Sequence, residues 1–296
     1  MKQKLVKIVI VLMFLCGFGF IAYPTISNEW NTYAQSRLIN NYEASVSNMS
    51  ENDYTLEWQR ANTFNSAITE NDIGKDVFNT GSNGNTTTPT EQFFNSTYYS
   101  VLNLNGNGVM GYLSIPKINL KLPIMHGTFD DNLQTSLGHL NGTALPVGGP
   151  GTHSVIVGHR GLPTAVLFTD LDQMQIGDKF YVHMLDKILA YEVDKISPMI
   201  PEDDIEGLSD AVAVEEGKDY VTLFTCTPYG VNTHRLLVRG IRVEYLGEDE
   251  VPKGTEVVVE TMRNYYLAFT ITGIILVIII INLIRFISKK KQNTVV

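Results

Sequence analysis

Cysteine is scarce in this chain: of two, Cys16 lies in an apolar N-terminal run and reads as a small hydrophobe, which leaves Cys226 as the one thiol of the remaining chain. Cys226 ends the apolar run Val221–Thr225 in the stretch YVTLFTCTPYGVNTHRLLVRG, with His234 and Arg235 eight and nine residues on. A lone thiol cannot close an internal disulfide, so the choices are an inert buried side chain, an intermolecular bridge or a nucleophile. Free cysteine ionises near pH ~8.5, so a nucleophile needs a proton acceptor or a fixed positive charge beside it. Tyr229, Gly230 and Asn232 are turn formers, so the chain can reverse after Cys226 and return as an antiparallel strand that begins near Arg235. A guanidinium stays charged at any physiological pH and offers fixed donors to an oxygen that becomes negative during acyl transfer; it cannot act as a base.

The base must then be one of six histidines. His183 lies in the middle of FYVHML and reads as barrel wall, and His153 opens a strand and reads as structural. His234 and Arg235 are neighbours and point to opposite faces of a strand. Spacing leaves His126, His139 and His159 open, of which His159 sits at the tip of the run THSVIVGH. Arg160, Arg239 and Arg242 read as surface or ion-pair residues, and Leu223 and Thr225 as the wall of a pocket beside the thiol.

The elements that would hold these groups are short. After Val109 the runs MGYLSI, INLKLPI, THSVIVGH, KFYVHML, ILAYEVDKI, YVTLFTC and RLLVRGIRVEYL are separated by Gly and Pro, a texture that predicts a closed barrel or sandwich. A short helix is expected near Ala165 to Leu171 and a turn around Pro201 to Leu208. Residues 27–70 carry apolar residues near a 3.6-residue period and predict a helical pair. Residues 71–108 turn to Asn, Thr, Gly and Ser, broken by Phe93, Phe94, Tyr98 and Tyr99, and read as a long loop, either linker or lid.

Both ends are apolar. Ile8 to Asn28 holds no charge and follows Lys2, Lys4 and Lys7, which reads as a first membrane helix or a signal sequence. Asn264 to Ile284 is uncharged over about the ~20 residues that a helix needs to cross a bilayer, and Arg285, Lys289, Lys290 and Lys291 follow it. Cations at both outer flanks put both termini in the cytoplasm and the domain between them outside. The seven cations of the ends leave 15 basic against 31 acidic residues for the rest, a net charge of −16, which disfavours a nucleic-acid partner. No cysteine and histidine grouping has zinc spacing and no glycine-rich phosphate loop is present, so no metal or cofactor is expected.

TLFTC followed by HRLLVRG, with THSVIVGHRG upstream, resembles the sortases, and LPIMHGT, GHLNGTALPVGG and LFTDLDQMQIGDKFYVH are similar to the class C, pilus-assembling subgroup of Gram-positive bacteria. The resemblance covers roughly Met110 to Val243. It implies a mainly β fold: a closed sortase-type barrel with short helices, an N-terminal helical pair and two flanking transmembrane helices. The domain plan is a membrane segment (1–26), helices and lid loop (27–108), barrel (109–246), linker (247–263), and a C-terminal membrane helix with a basic tail (264–296). It further implies a transpeptidase in which Cys226 attacks the Thr-Gly bond of an LPxTG-like sorting signal, His159 protonates the departing amine, and Arg235 holds substrate and oxyanion. A lysine amine of another pilin would then open the thioacyl-enzyme. The implied partners are pilin subunits and membrane lipid. Class C members commonly carry an Asp-Pro-aromatic lid motif, whereas none of the 11 prolines here follows an aspartate; Asp76 and Phe78 are the lid candidates in its place. Two other outcomes stay open: a wall-anchoring sortase that uses a peptidoglycan amine, and a membrane-tethered cysteine peptidase that passes the acyl group to water. A tethered binding module with an incidental thiol is the non-enzymatic alternative.

Overall fold

The computed structural model describes residues 2–68, 91–249 and Gly273. The chain divides into two compact units, one holding residues 2–33 and the other Ala34–Lys253. Helix α1 (Lys2–Ser47) begins in the first unit, where it carries Pro24, and its last 14 residues belong to the second. Among the described residues no single helix is long and apolar enough to cross a membrane; Val9–Phe20 and Ala22–Ser47, bent at their junction, meet that length and composition together. The expected second membrane helix, and the lid candidates Asp76 and Phe78, lie outside the described residues.

The larger unit is a closed barrel of eight strands: β1 (Val109–Ile115), β2 (Leu120–His126), β3 (Leu137–His139), β4 (Thr152–Val157), β5 (Lys179–Met184), β6 (Lys187–Pro201), β7 (Asp219–Thr227) and β8 (His234–Val243). Around the barrel they run β1-β2-β3-β4-β7-β8-β6-β5, and β5 closes on β1. Seven of the eight are the runs read from sequence. The eighth, β3, is only three residues long, and it exists because it pairs parallel with β2 and antiparallel with β4, a tertiary arrangement that no local periodicity announces. Leu113, Ile124, Leu137, Ile156, Val182, Leu223 and Val238 fill the barrel interior, the inward half of each strand's two-residue alternation.

Two sequence expectations change. Residues 201–208 are not merely a turn: helix α6 (Ile205–Ala211), capped by the Asp204 carboxylate accepting from the Gly207 N–H at 3.0 Å, follows β6. The helix expected at 165–171 reduces to one 3-10 turn, Leu171–Gln173. Among the described residues, α3 (Glu91–Phe94) and α4 (Thr97–Ser100) lie between α2 (Glu51–Ala67) and the barrel, and α5 (Asp130–Leu133) falls between β2 and β3.

The helical pair is present. Helix α2 opens on a reciprocal cap, with the Asp53 carboxylate accepting from the Ser50 N–H at 2.9 Å. The Tyr42 hydroxyl accepts from the Leu185 N–H at 2.8 Å and Trp58 Nε1 donates to Asp186 at 2.6 Å, so both helices grip the β5–β6 turn. The described part of the 71–108 stretch is packed rather than loose: Tyr98, Val101 and Leu102 are core residues, because the aromatics that interrupt its polar composition need somewhere to be buried.

Candidate active site

Strand β7 carries Cys226 one residue from its end, and its neighbours supply the partners. Antiparallel β8 pairs Cys226 with Arg235 in register. On the other side β4 runs parallel, with Val157 opposite Phe224 as the last ladder pair. The ladder ends there, and that register continued further would set Gly158 against Thr225, His159 against Cys226 and Arg160 against Thr227. Side-chain bonds on both sides of His159 hold the alignment: Thr225 Oγ1 donates to the Gly158 carbonyl at 2.7 Å and Arg160 Nη1 donates to Thr227 Oγ1 at 3.2 Å. The sulfur-bearing residue thus sits between an imidazole-bearing and a guanidinium-bearing one, on adjacent segments.

The face is settled by alternation. Phe224, Leu237 and Val155 form an outer patch with Leu208 of α6 and Val212 just past its end, with Val157 and Ile200 beside it. One two-residue step further along each strand, Cys226, Arg235 and His159 continue that outer row beyond the edge of the helix. Gly158 must be a glycine for the row to form: a Cβ there would meet the Phe168 ring at 2.6 Å and Leu137 at 2.7 Å. The His159 carbonyl accepts from the Phe168 N–H at 3.0 Å and ties down the loop that follows. The reversal after Cys226 is a turn in which the Val231 and Asn232 N–H groups donate to the Pro228 carbonyl at 3.1 and 3.0 Å.

Leu223 and Thr225, expected as pocket wall, alternate to the other side. Leu223 is an interior core residue, and the buried Thr225 hydroxyl is used on the chain segment before His159; the strand period that brings Cys226 out takes its neighbours in. Of the three histidines left open by spacing, two are committed elsewhere. His139 Nδ1 faces the Tyr98 hydroxyl at 2.9 Å and its Nε2 the Ala144 carbonyl at 2.8 Å, and full burial lowers its pKa to about 3. His126 lies against the carbonyls of Gly108 and Val101 at 2.9 and 2.8 Å; burial lowers its pKa and those carbonyls pull it back up. His153 bonds Thr222 and Ala213, and His183 bonds Ser114 while stacked on Tyr112; burial drives each to about 4.

Electrostatics at the row favour the uncharged forms at rest. Burial raises the Cys226 pKa above that of a free thiol, Arg235 lowers it, and Glu202 raises it. Burial lowers the His159 pKa while Asp130 of α5 works against that shift. A neutral thiol and a neutral imidazole therefore dominate near pH 7. Three participants were not singled out from sequence. Glu202, just past β6, accepts from Arg235 Nη2 at 2.9 Å. Asp130 reaches His159 through space. Arg160, read as a surface or ion-pair residue, has a side chain only 8% exposed and links Thr227 to Asp172. Its place directly after His159 was the one available signal; the two acids had none. Among the described residues no group of three His, Cys, Asp or Glu side chains is arranged to hold a metal ion.

Comparison with known proteins adds a family to this geometry. The profile described as "Sortase domain" matches residues 113–243. Sortase C1 from Streptococcus agalactiae is 45% identical, with 71% of this chain and 100% of that chain covered and a TM-score of 0.58. Sortase C from Streptococcus pneumoniae, whose structure is described as informing catalysis and pilin substrate specificity, is 40% identical over 71% of this chain and 98% of that one, with a TM-score of 0.61. Sortase A of Bacillus anthracis is 30% identical over 141 residues, 46% of this chain; the chain spans 61% of that relative's length.

Proposed function

The chain belongs to the sortase family, and from that membership we propose that it is a class C, pilus-assembling member: a cysteine transpeptidase acting on LPxTG-like sorting signals. The reading is supported by the register that pairs Cys226 with Arg235 across β7 and β8 and leads, two residues past the end of β4, to His159 on the other side. In the reaction the Cys226 thiol passes its proton to His159 as Sγ adds to the carbonyl carbon of the Thr-Gly peptide bond, and Arg235 supplies donors to the oxygen that becomes negative. His159 gives its proton to the nitrogen of the departing glycine, the C–N bond breaks, and a thioester remains on Cys226. An incoming lysine amine, unperturbed pKa ~10.4, loses a proton to His159 as it attacks, so sulfur leaves and an amide forms. A peptidase usually adds an Asn or Asp to orient its histidine; here the third group is Arg235, which lies across the sulfur from His159, and that favours transfer over hydrolysis.

The substrates on this reading are pilin subunits, one bearing the sorting signal and the other the acceptor lysine. The uncharged segments Ile8 to Asn28 and Asn264 to Ile284, with lysines and an arginine at their outer flanks, support a barrel held at the outer face of the cell membrane, with both termini cytoplasmic. Labelling of cysteines introduced at each terminus and in the barrel of intact cells tests that placement; a reagent-accessible terminus refutes it.

The reaction is tested by incubating the full-length chain with an LPxTG-type peptide, with and without hydroxylamine, and following products by mass. We expect an acyl adduct on Cys226, partition to the hydroxamate in proportion to added amine, and neither with Cys226→Ala. Cleavage insensitive to amine assigns the chain to hydrolysis instead.

A further inference from the structure

The outer row has a fourth member. Past Arg235, on the side away from the sulfur, stands Glu202. Its position is fixed by the backbone, since β6 pairs Ile200 with Arg235 and Pro201 with His234, and the Glu202 N–H donates to the Thr233 carbonyl at 3.1 Å. Its carboxylate takes Arg235 Nη2 at 2.9 Å, while Nη1 donates to the carbonyls of Asn232 at 2.8 Å and His234 at 3.1 Å. Two of the three guanidinium nitrogens are thus engaged by this chain's own oxygens. The Arg235 side chain is 12% exposed and that of Glu202 is 41% exposed. An ion pair with one member this open to water adds little to folding stability, so its consequence should be sought in reactivity.

We infer that Glu202 is a positioning residue for the reaction, a counter-ion that sets the direction of the Arg235 fork and damps its pull on the Cys226 sulfur while no substrate is bound. The inference rests on the reading of Cys226 as the nucleophile. A guanidinium held by a carboxylate and two backbone carbonyls has one orientation rather than many, which matters because an oxyanion donor contributes only when it is aimed before the charge develops. The same carboxylate opposes the guanidinium's field at the sulfur, so a resting enzyme facing small electrophiles keeps more of its thiol unionised. When a peptide carbonyl enters and becomes an oxyanion, the fork gains a stronger acceptor on the sulfur side. The charged and titratable groups around Cys226 are Arg235 on β8, Glu202 after β6, and His159 after β4 with Asp130 of α5 acting on it. Arg160 follows His159 and is tied to Thr227 and Asp172. Of these, only Glu202 is bonded to Arg235.

Three full-length proteins test it: the natural chain, Glu202→Gln and Glu202→Asp. Iodoacetamide labelling is followed against pH on the Cys226 peptide by mass, which separates it from Cys16, and peptide cleavage is measured for kcat and KM. For Glu202→Gln we expect the labelling midpoint to move to lower pH and labelling at pH 7 to quicken roughly threefold or more. Peptide kcat should fall by about tenfold with KM little changed. Glu202→Asp, which keeps the charge, should restore the natural labelling midpoint. Unfolding would also free the thiol from burial and quicken its labelling, so thermal unfolding is measured on each variant, and a faster thiol with slower turnover supports the inference only at an unchanged melting temperature; a lowered one overturns it. The inference is overturned if Glu202→Gln labels along the natural pH curve, or if labelling and turnover fall together. Should the natural chain fail to cleave any sorting peptide, the transpeptidase reading falls, while the labelling comparison still decides the role of Glu202.

Discussion

Thr225→Val removes one oxygen and almost nothing else, and it probes the alignment on which the active site depends. Valine keeps the β-branch and the volume, so strand β7 loses only the hydroxyl that donates to the Gly158 carbonyl at 2.7 Å, one residue before His159. A buried hydrogen bond is worth about 1 kcal/mol net when another donor takes over, and up to about 3 kcal/mol when the carbonyl is left bare. Each kcal/mol moves the midpoint of a domain of 150–250 residues by about 2–4 °C, so the melting temperature should fall by roughly 2–12 °C. The same bond fixes the segment that presents the imidazole to the sulfur. A loosening of about 1 Å there can cost ~100-fold in rate, and partial loosening should lower kcat/KM by about tenfold, chiefly in kcat. Thermal unfolding and peptide cleavage on one preparation measure both quantities, and Thr225→Ser, which returns the hydroxyl, should recover most of each. A Thr225→Val protein that melts lower yet turns over at the natural rate breaks the link between this bond and His159. One unchanged in both refutes the register argument itself.

Arg235→Lys should lose about 100-fold or more in kcat/KM in the cleavage assay, because a single ammonium cannot keep its bonds to Glu202 and the Asn232 carbonyl and also offer a fork to the oxyanion. Plotted against pH, kcat/KM should be bell-shaped. Burial holds the His159 pKa below and the Cys226 pKa above their ordinary values, so the acid limb belongs to the imidazole and the alkaline limb to the thiol. Asp130→Asn removes the charge that raises the His159 pKa and should move the acid limb to lower pH; an unmoved limb refutes that assignment. Folding stability should fall as pH drops from 6.5 towards 4. His139, His153 and His183 stay neutral in the fold, with pKa values of about 3, 4 and 4, while in the unfolded chain they protonate near 6.5. The unfolded state then binds more protons, and each group can remove up to about 1.4 kcal/mol per pH unit in that window. Urea midpoints measured from pH 7 to 4.5 check it, and a flat profile would contradict the buried neutral imidazoles.

The sequence alone determined the chemistry on offer and the type of shell that holds it. A single thiol outside the N-terminal apolar run, an arginine at the start of the next strand and a two-residue apolar alternation are local properties, and they led to Cys226, Arg235 and a closed β shell. Alternation also carries a warning that the residue reading of Leu223 and Thr225 passed over: the strand that turns Cys226 outward turns both neighbours inward. Three matters were decided only by tertiary structure. Which histidine is available follows from pairing across strands far apart in sequence. His139 and His126 are taken by Tyr98, Ala144, Gly108 and Val101, while the parallel ladder between β4 and β7 runs up to Val157 and Phe224, two residues before His159 and Cys226. The short strand β3 and the acids Glu202 and Asp130 have no local signal, since a three-residue strand has no period to detect and a carboxylate in a polar turn looks like any solvated charge. The protonation state at rest was settled last of all, because it depends on how much water each group has lost, and burial is a property of the packed barrel and not of any one stretch of chain.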